Sequence, residues 1–306
     1  MSVEICPLPN AIGVEVTGLD LDRPISADTA QTLNHAWQEA GIMLFRGIGT
    51  TPERQLALSR VFGELEIHPI ENIRLEGYPE LIWLANKDAT TAPLYYYDGV
   101  ATVSRIPWHS DLVYTTTPNR GALLRMVDMP AQGGQTGWID TAAAYEGLSA
   151  ETKALIEDKE GLFQFILNPC DMRFGKLNVE RASSDNAKDE ASFYPDFPDI
   201  AHPLVWTHPQ SGKKSLNVSP LHLRALVKRG ESKPESSDEA NDLLNHLVDH
   251  TTSGAYSYIH QWEPNDMVLW DNWRTMHCAL GHPPELKRMV HRTTIKGEHA
   301  FGRVLT

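Results

Sequence analysis

Hydrophobic and polar positions change period several times along the chain. Ile12, Val14 and Val16 alternate with other residues and lead into Gly18-Leu19-Asp20, which predicts a strand closed by a turn. Ser26 is placed to cap a helix running to about Ala40, with Leu33, Ala36 and Trp37 on one face and Gly41 as its stop. Ile42-Met43-Leu44-Phe45 predicts a short buried strand. Thr51-Pro52 opens a second helix carrying Leu56, Leu58 and Val61-Phe62 to a stop at Gly63. From about residue 80 short apolar runs recur between turn residues: Leu81–Leu84, Ala122–Val127, Leu162–Leu167, Leu216–Val218, Ala255–Ile259, Met267–Trp270 and Val290–Ile295. Many short strands joined by loops predict a mainly β sandwich or jelly roll with helical decorations. Helices are expected to interrupt it at Ala142–Lys159 and at Asp238–His250, the latter capped by Ser237 with Leu243, Leu244, Leu247 and Val248 on one side. The stretch from Asn168 to His202 is polar, mixed in charge and without period, as expected of a lid or binding loop. No repeat and no linker divides the chain, so one domain over residues 1–306, with 168–202 as a lid insertion, is expected.

Composition narrows the partners. The 306 residues carry a formal charge of −13, a surface that repels nucleic acid and anionic lipid, so neither is expected as a partner. Any anion the protein binds must then be held by local arginines. No stretch approaches a membrane helix, and MSVEICPLPN has no basic segment followed by an apolar one, so neither a membrane anchor nor a secretory leader is expected. The three scattered cysteines (Cys6, Cys170, Cys278) form no C-x-x-C pair; they predict neither a disulfide framework nor a zinc site, and fit a reducing cytoplasm. A homo-oligomer, a dimer or a tetramer, is expected.

Candidate chemistry comes from three short motifs. His109-Ser110-Asp111 is the one H-x-D in the sequence. Residues two apart on a strand face the same way, so an imidazole and a carboxylate can converge on one ion. Alone the triplet is weak, since about one is expected by chance. Trp270-Asp271-Asn272-Trp273-Arg274-Thr275-Met276-His277 adds an apolar strand and a polar turn that ends on a third ligand. Two histidines and a carboxylate on one face of a metal leave room for a keto acid and O2, the arrangement used by non-heme iron(II) oxygenases. Arg288 and Arg292 then lie on one face of the strand Arg288–Ile295, where a planar fork suits the distal carboxylate of a dicarboxylate.

With these motifs the chain resembles the taurine dioxygenase/2,4-D dioxygenase (TauD/TfdA) family. Phe62-Gly63-Glu64-Leu65, Trp108-His109-Ser110-Asp111, Gly133-Gly134-Gln135-Thr136, Trp270-Asp271-Asn272 and His291-Arg292 occur in the family's order, from about Gly13 to Gly297. The resemblance implies a double-stranded β-helix (jelly roll) of the clavaminate synthase-like type, with iron(II), 2-oxoglutarate and O2 as cofactor and cosubstrates. It implies that His109, Asp111 and His277 bind iron and that Thr136 and Arg288 hold the distal carboxylate of 2-oxoglutarate. Arg292 is similar to the arginine beside the cosubstrate and the substrate anion, and His68 to a histidine that contacts the sulfonate. The implied activity is oxidation of a C–H bond of a small carboxylate or sulfonate, coupled to conversion of 2-oxoglutarate to succinate and CO2. Halogenating relatives lack the carboxylate ligand, so Asp111 points to hydroxylation, desaturation or bond cleavage.

Two departures bear on the substrate. Arg105 stands where the taurine enzymes have an asparagine, and Glu71 where they have an aromatic residue. Either both face the pocket and the substrate is not taurine, or both are solvated. An oxidase of natural-product metabolism acting on an amino acid or small carboxylate is an alternative, and if Glu71 lines the pocket the substrate is an amino acid-like zwitterion. A metal-free jelly-roll binding protein is another alternative. His68 is either a substrate contact or structural. Asp271 and Asn272 are read as turn residues, Gly133 and Gly134 as setting the backbone for Thr136, and Tyr95-Tyr96-Tyr97 as a packing element or an aromatic wall. His282, His291 and His299 are read as surface groups or groups one layer back from the metal. Cys278 should point away from iron.

Overall fold

The computed structural model describes residues 3–9, 12–68, 70–85, 93–182 and 194–306. Its largest sheet has eight strands, in the spatial order Glu4–Pro7, Val14–Thr17, Ile42–Phe45, Met267–Asp271, Gly121–Asp128, Met289–Ile295, Tyr78–Ala85 and Arg74–Leu75. A second sheet has six: Val179–Arg181, Tyr95–Tyr97, Val100–His109, Thr275–His282, Thr136–Asp140 and Ser257–His260. Pairing is antiparallel apart from Val14–Thr17 beside Ile42–Phe45. This is the jelly-roll architecture, mainly β with helices on the outside.

The unbroken apolar runs exist because both faces of the large sheet are buried. Side chains alternate between faces along a strand. Met43, Phe45, Leu123, Met267 and Leu269 pack outward with Leu33, Trp37, Leu56 and Leu58 of the helices Ala27–Ala40 and Pro52–Ser59. Ile42, Leu44, Ala122, Leu124, Val268 and Trp270 point the other way and meet Trp138 of the second sheet. The space between the two sheets is therefore filled there with indole and aliphatic groups.

The helix starts follow their capping residues. Ser26, Thr51 and Ser237 each accept a backbone N–H three residues on, and Gly41 ends the first helix at φ 75°. The second helix stops at Ser59 rather than Gly63, because Val61 and Phe62 donate to carbonyls only three residues back. The helix expected over Ala142–Lys159 is two helices, Thr141–Glu146 and Ala150–Ile156, with separate caps Asp140 and Ser149. A side chain at Gly147 would strike the Tyr256 hydroxyl, and Lys159 already begins a strand.

The segment from Asn168 to His202 is more ordered at its ends than its sequence suggested. Val179–Arg181 pairs with Tyr95–Tyr97. Ile200–Pro203 is an inner strand of a third sheet, with His202 fully buried against Phe163 and Trp206. The apolar Ile200-Ala201 was too short a signal to stand out in a polar stretch. The centre of the expected lid, residues 183–193, lies outside the described residues.

Candidate metal centre and cosubstrate site

His109 ends the strand Val100–His109, and His277 lies opposite it, Cα to Cα, on the strand Thr275–His282. Asp111 sits two residues on, in the turn. Their ligand atoms lie within 4.8 Å of one another, with Asp111 Oδ1 3.7 Å from His109 Nε2 and 3.8 Å from His277 Nε2. Neighbouring donors around a six-coordinate ion with bonds of about 2.1 Å stand roughly 3 Å apart. Side-chain torsions can close that difference.

Protonation also suits a metal. His109 Nδ1 donates to the Pro107 carbonyl at 2.8 Å, which leaves the Nε2 lone pair facing Asp111. Burial lowers the pKa of both histidines and so favours the neutral rings that can bind a metal. Burial opposes ionisation of Asp111, yet Arg292, His277 and His109 hold its carboxyl well below the usual range. Two neutral imidazoles and one carboxylate are the donor set that iron(II) requires, so the residues fit the ion.

Asn272 fixes the turn that carries Asp111. Its Oδ1 accepts from the Asp111 N–H and its Nδ2 donates to the Asp111 carbonyl, both at 2.9 Å. Asp271, fully buried, accepts from Trp273 N and is paired with His208 and Arg120. Asp271 is thus a turn residue as expected, whereas Asn272 is also the clamp on the metal-bearing turn.

Arg288 meets Thr136, which lies opposite Ala279 on the strand paired with that of His277. Arg288 donates from Nε to the Gly134 carbonyl (3.1 Å) and from NH2 to Thr136 Oγ1 (3.3 Å). Gly133 and Gly134 both have positive φ, 75° and 77°, and a side chain at Gly134 would crowd Pro130 and Arg288 Cδ. Burial lowers the Arg288 pKa to about 10, and among the described residues no carboxylate pairs with it. Of its five N–H groups, these bonds use two.

Arg292 is paired within the centre. It grips both oxygens of Asp111, at 2.7 and 3.3 Å, with its guanidinium 5.4 Å over Trp270. His68 is half-buried, accepts from Ile70 N at 3.2 Å, and has its pKa lowered by burial and then by the charge of Arg292.

Two candidates lie elsewhere. Glu71 is 83% exposed and pairs with Arg74 in a short solvent-facing turn. Arg105 stacks on Tyr97 at 4.1 Å and borders a cavity of about 230 Å3 with Trp108, Met172, Pro220 and Cys278; none of the three ligands borders it. The reason is a bulge. His277 faces His109 but Ala279 faces Ile106, so the first strand spends an extra residue and Arg105 loses the parity it would share with His109. Cys278 does point away from the ligands, toward that cavity. His282 and His291 are buried rather than at the surface, the latter 2.8 Å from Arg125.

An aromatic wall that no motif announces stands next to the metal ligands. Tyr114 packs on Phe165, Phe197 and His222, with ring centroids 4.8–5.0 Å away, and His222 stands edge-on to His109 at 6.2 Å. Burial and then the charge of Asp111 raise the Tyr114 pKa. Glu66, half-buried, has its pKa raised by burial while Arg292 opposes the shift. Tyr95 and Tyr97 are buried in their strand and take no part in this wall.

Comparisons with known proteins identify the family. The family model for "Taurine catabolism dioxygenase TauD, TfdA family" matches residues 4–294. The chain is 30% identical over 302 residues to the (S)-phenoxypropionate/alpha-ketoglutarate-dioxygenase of Sphingobium herbicidovorans, covering 97% of this chain and 96% of that one. It is 27% identical to the alpha-ketoglutarate-dependent sulfate ester dioxygenase of Pseudomonas putida, over 99% and 92% of the two chains. Among solved structures, AAD-2 in complex with Mn(II) and N-oxalylglycine superposes with a TM-score of 0.73 at 26% identity, covering 98% of this chain and all of that one. With the family matched over nearly its whole length, the chain belongs to the TauD/TfdA family and is a 2-oxoglutarate-dependent dioxygenase.

Proposed function

We propose that iron(II) is held by His109, Asp111 and His277, and that the enzyme uses 2-oxoglutarate and O2 to oxidise a C–H bond of a small organic anion with an apolar or aromatic body. One observation carries the reading: two buried imidazoles and a carboxylate cluster at His277, while on the strand paired with it Thr136, opposite Ala279, holds a buried guanidinium, Arg288, that has no carboxylate partner among the described residues. The iron would supply oxygen activation coupled to decarboxylation of 2-oxoglutarate. Arg288 and Thr136 would hold the distal carboxylate of that cosubstrate, a charge-assisted pair in a buried setting.

Arg292 and His68 would orient the substrate's anionic group, while Tyr114, Phe165 and Phe197 exclude water from its apolar part. Tyr194 and Phe197 belong to the segment expected as a lid, and both pack on Phe165. Closure of that segment over the substrate is part of the proposal. So are a homo-oligomeric state and a reducing cytoplasm, the latter in keeping with three free cysteines. No helix among the described residues is long and apolar enough to cross a membrane.

A second substrate reading, an amino acid-like zwitterion, rests on Glu66 instead of the exposed Glu71. Glu66 is half-buried within electrostatic reach of Arg292 and Asp111, where an ammonium group could pair with it. The deciding experiment measures iron(II)-dependent succinate formation while screening carboxylates, sulfonates, sulfate esters, zwitterions and neutral compounds. Asp111→Ala should abolish turnover. Undiminished turnover in that variant, or a neutral compound as best substrate, would overturn the proposal.

A further inference from the structure

The Thr136 hydroxyl sits between two donors. Trp262 Nε1 donates to Thr136 Oγ1 at 3.1 Å, and Arg288 NH2 donates to the same oxygen at 3.3 Å. A hydroxyl has two acceptor lone pairs and one proton. With both lone pairs engaged, the proton has to be donated, and among the described residues no group accepts it. Thr136 and Trp262 are both buried, so the hydroxyl cannot turn freely to bulk water.

We infer that Trp262 is a positioning residue for the cosubstrate: its indole N–H fixes the Thr136 hydroxyl as a donor aimed at the carboxylate that Arg288 holds. The inference rests on the proposed roles of Arg288 and Thr136, and assigns Trp262 a role beyond them. Without the indole N–H, the hydroxyl could spend its proton elsewhere or present a lone pair to the incoming anion, which repels it. With it, one orientation remains, and the orienting cost is met before the ligand arrives.

The indole is itself held in place. His260 lies opposite Thr136 on the neighbouring strand and stands edge-on to Trp262, with ring centroids 4.6 Å apart and an 86° angle. His260 Nδ1 accepts from the Tyr258 hydroxyl at 2.6 Å, and Nε2 donates to Asp266 at 3.2 Å. Asp266 is fully buried and pairs with Arg46 at 2.6 Å. A chain of fixed groups thus runs from Arg46 through Asp266 and His260 to the ring whose N–H sets the hydroxyl.

A merely structural Trp262, packed with Leu124, Met126 and Val290, would give a different signature in a double-mutant cycle. The test is calorimetric binding of 2-oxoglutarate to iron(II)-loaded protein without O2, in wild type, Trp262→Phe, Thr136→Val, the double variant and Arg288→Ala. Trp262→Phe and Thr136→Val should each weaken binding about tenfold, the scale of one buried hydrogen bond to a charged group. The double variant should bind no more weakly than Thr136→Val, and iron affinity should not change. Independent, additive losses, or unchanged binding in Trp262→Phe, would overturn the role of Trp262 while a loss in Arg288→Ala leaves the cosubstrate site standing. Unchanged binding in Arg288→Ala would instead remove the underlying assignment. Benzothienylalanine incorporated at position 262 keeps the ring shape and deletes only the N–H; it should reproduce the loss, and wild-type binding there would overturn the inference if Trp262→Phe folds poorly.

Discussion

The side-chain amide of Asn272 closes a two-bond ring on the backbone of Asp111, accepting from its N–H and donating to its carbonyl, both at 2.9 Å. An amide used this way imitates a neighbouring strand at the point where the true strand has ended at His109. It also donates to Asn119 Oδ1 at 3.0 Å, so the turn bearing the carboxylate is tied to the loop before Gly121–Asp128. Asn272→Ala should therefore weaken metal binding by roughly 10- to 100-fold, the scale seen when groups that orient ligands are removed. Asn272→Asp, which keeps the acceptor and loses the donor, should fall between. Metal titration alongside circular dichroism checks this; wild-type affinity in Asn272→Ala would refute the clamp.

Arg292 competes with any metal for Asp111, since both carboxylate oxygens already receive its N–H groups. Removing the guanidinium takes a positive charge away from a cation site. Arg292→Ala should tighten metal binding, by about tenfold for a repulsion on the order of 1.4 kcal/mol, and should raise KM for the primary anionic substrate. Opposite movements in the two constants are the expected result, read by metal titration and steady-state kinetics on one variant. Metal binding that weakens instead would mean that Arg292 serves chiefly to hold Asp111 in place.

Much of this was legible because it depends on local rules. Ser26, Thr51 and Ser237 announce helix starts through cap chemistry, and Ile42–Phe45 announces a strand buried on both faces. The His109-Ser110-Asp111 triplet is legible as a pair of potential ligands, and His277 through the strand and turn before it. Arg105 failed for a reason that no pattern reveals: a bulge between paired strands changes parity, and the sequence shows no insertion. Glu71 failed because a neighbour three residues on, Arg74, draws it into a solvent-facing turn. Tyr114, Phe165 and Phe197 come from separate loops and become a wall only when the third sheet closes beside the second. Trp262 likewise looks like any core tryptophan until its N–H is seen on Thr136.

Asp271 links stability to pH. Burial alone would raise its pKa, but Arg120 and His208 outweigh that and hold it at about 2, against an ordinary value of 3.8. A depressed carboxyl pKa stabilises the fold above the unfolded-state value and loses that contribution as pH falls through the folded value. The window therefore runs from about pH 4 down to about pH 2, and the contribution above it is roughly 2–3 kcal/mol at about 1.4 kcal/mol per pH unit. Asp271→Asn should show a flatter dependence of urea midpoint on pH across that window. At pH 7 it should lose more, about 3–5 kcal/mol, because Arg120 is left buried without its counter-charge between Trp37 and Trp273. Parallel pH profiles for the two proteins would show that Asp271 does not carry this linkage.

The aromatic wall should set which anions are oxidised. Tyr114 meets Phe165 at 4.8 Å and Phe197 at 4.9 Å, and Phe165 meets Phe197 at 5.0 Å, so the three rings form one continuous surface close to His109 and Asp111. Rings at such spacing and tilt accommodate another ring edge-to-face. Phe165→Ala removes most of one ring's contact area. At about 25 cal/mol per Å2, a phenyl group that loses roughly 80–100 Å2 of apolar burial loses about 2–2.5 kcal/mol, or roughly 30- to 70-fold in kcat/KM. A short alkyl sulfonate, which never reaches that ring, should lose less than about threefold by the same area arithmetic. Tyr114→Phe keeps the surface and should leave the ratio between the two substrates near its wild-type value. The check is succinate release with an aryloxy acid and with a short alkyl sulfonate, for wild type and both variants. Equal losses for the two substrates in Phe165→Ala would point to damage at the metal centre and sink the idea that this wall selects the substrate.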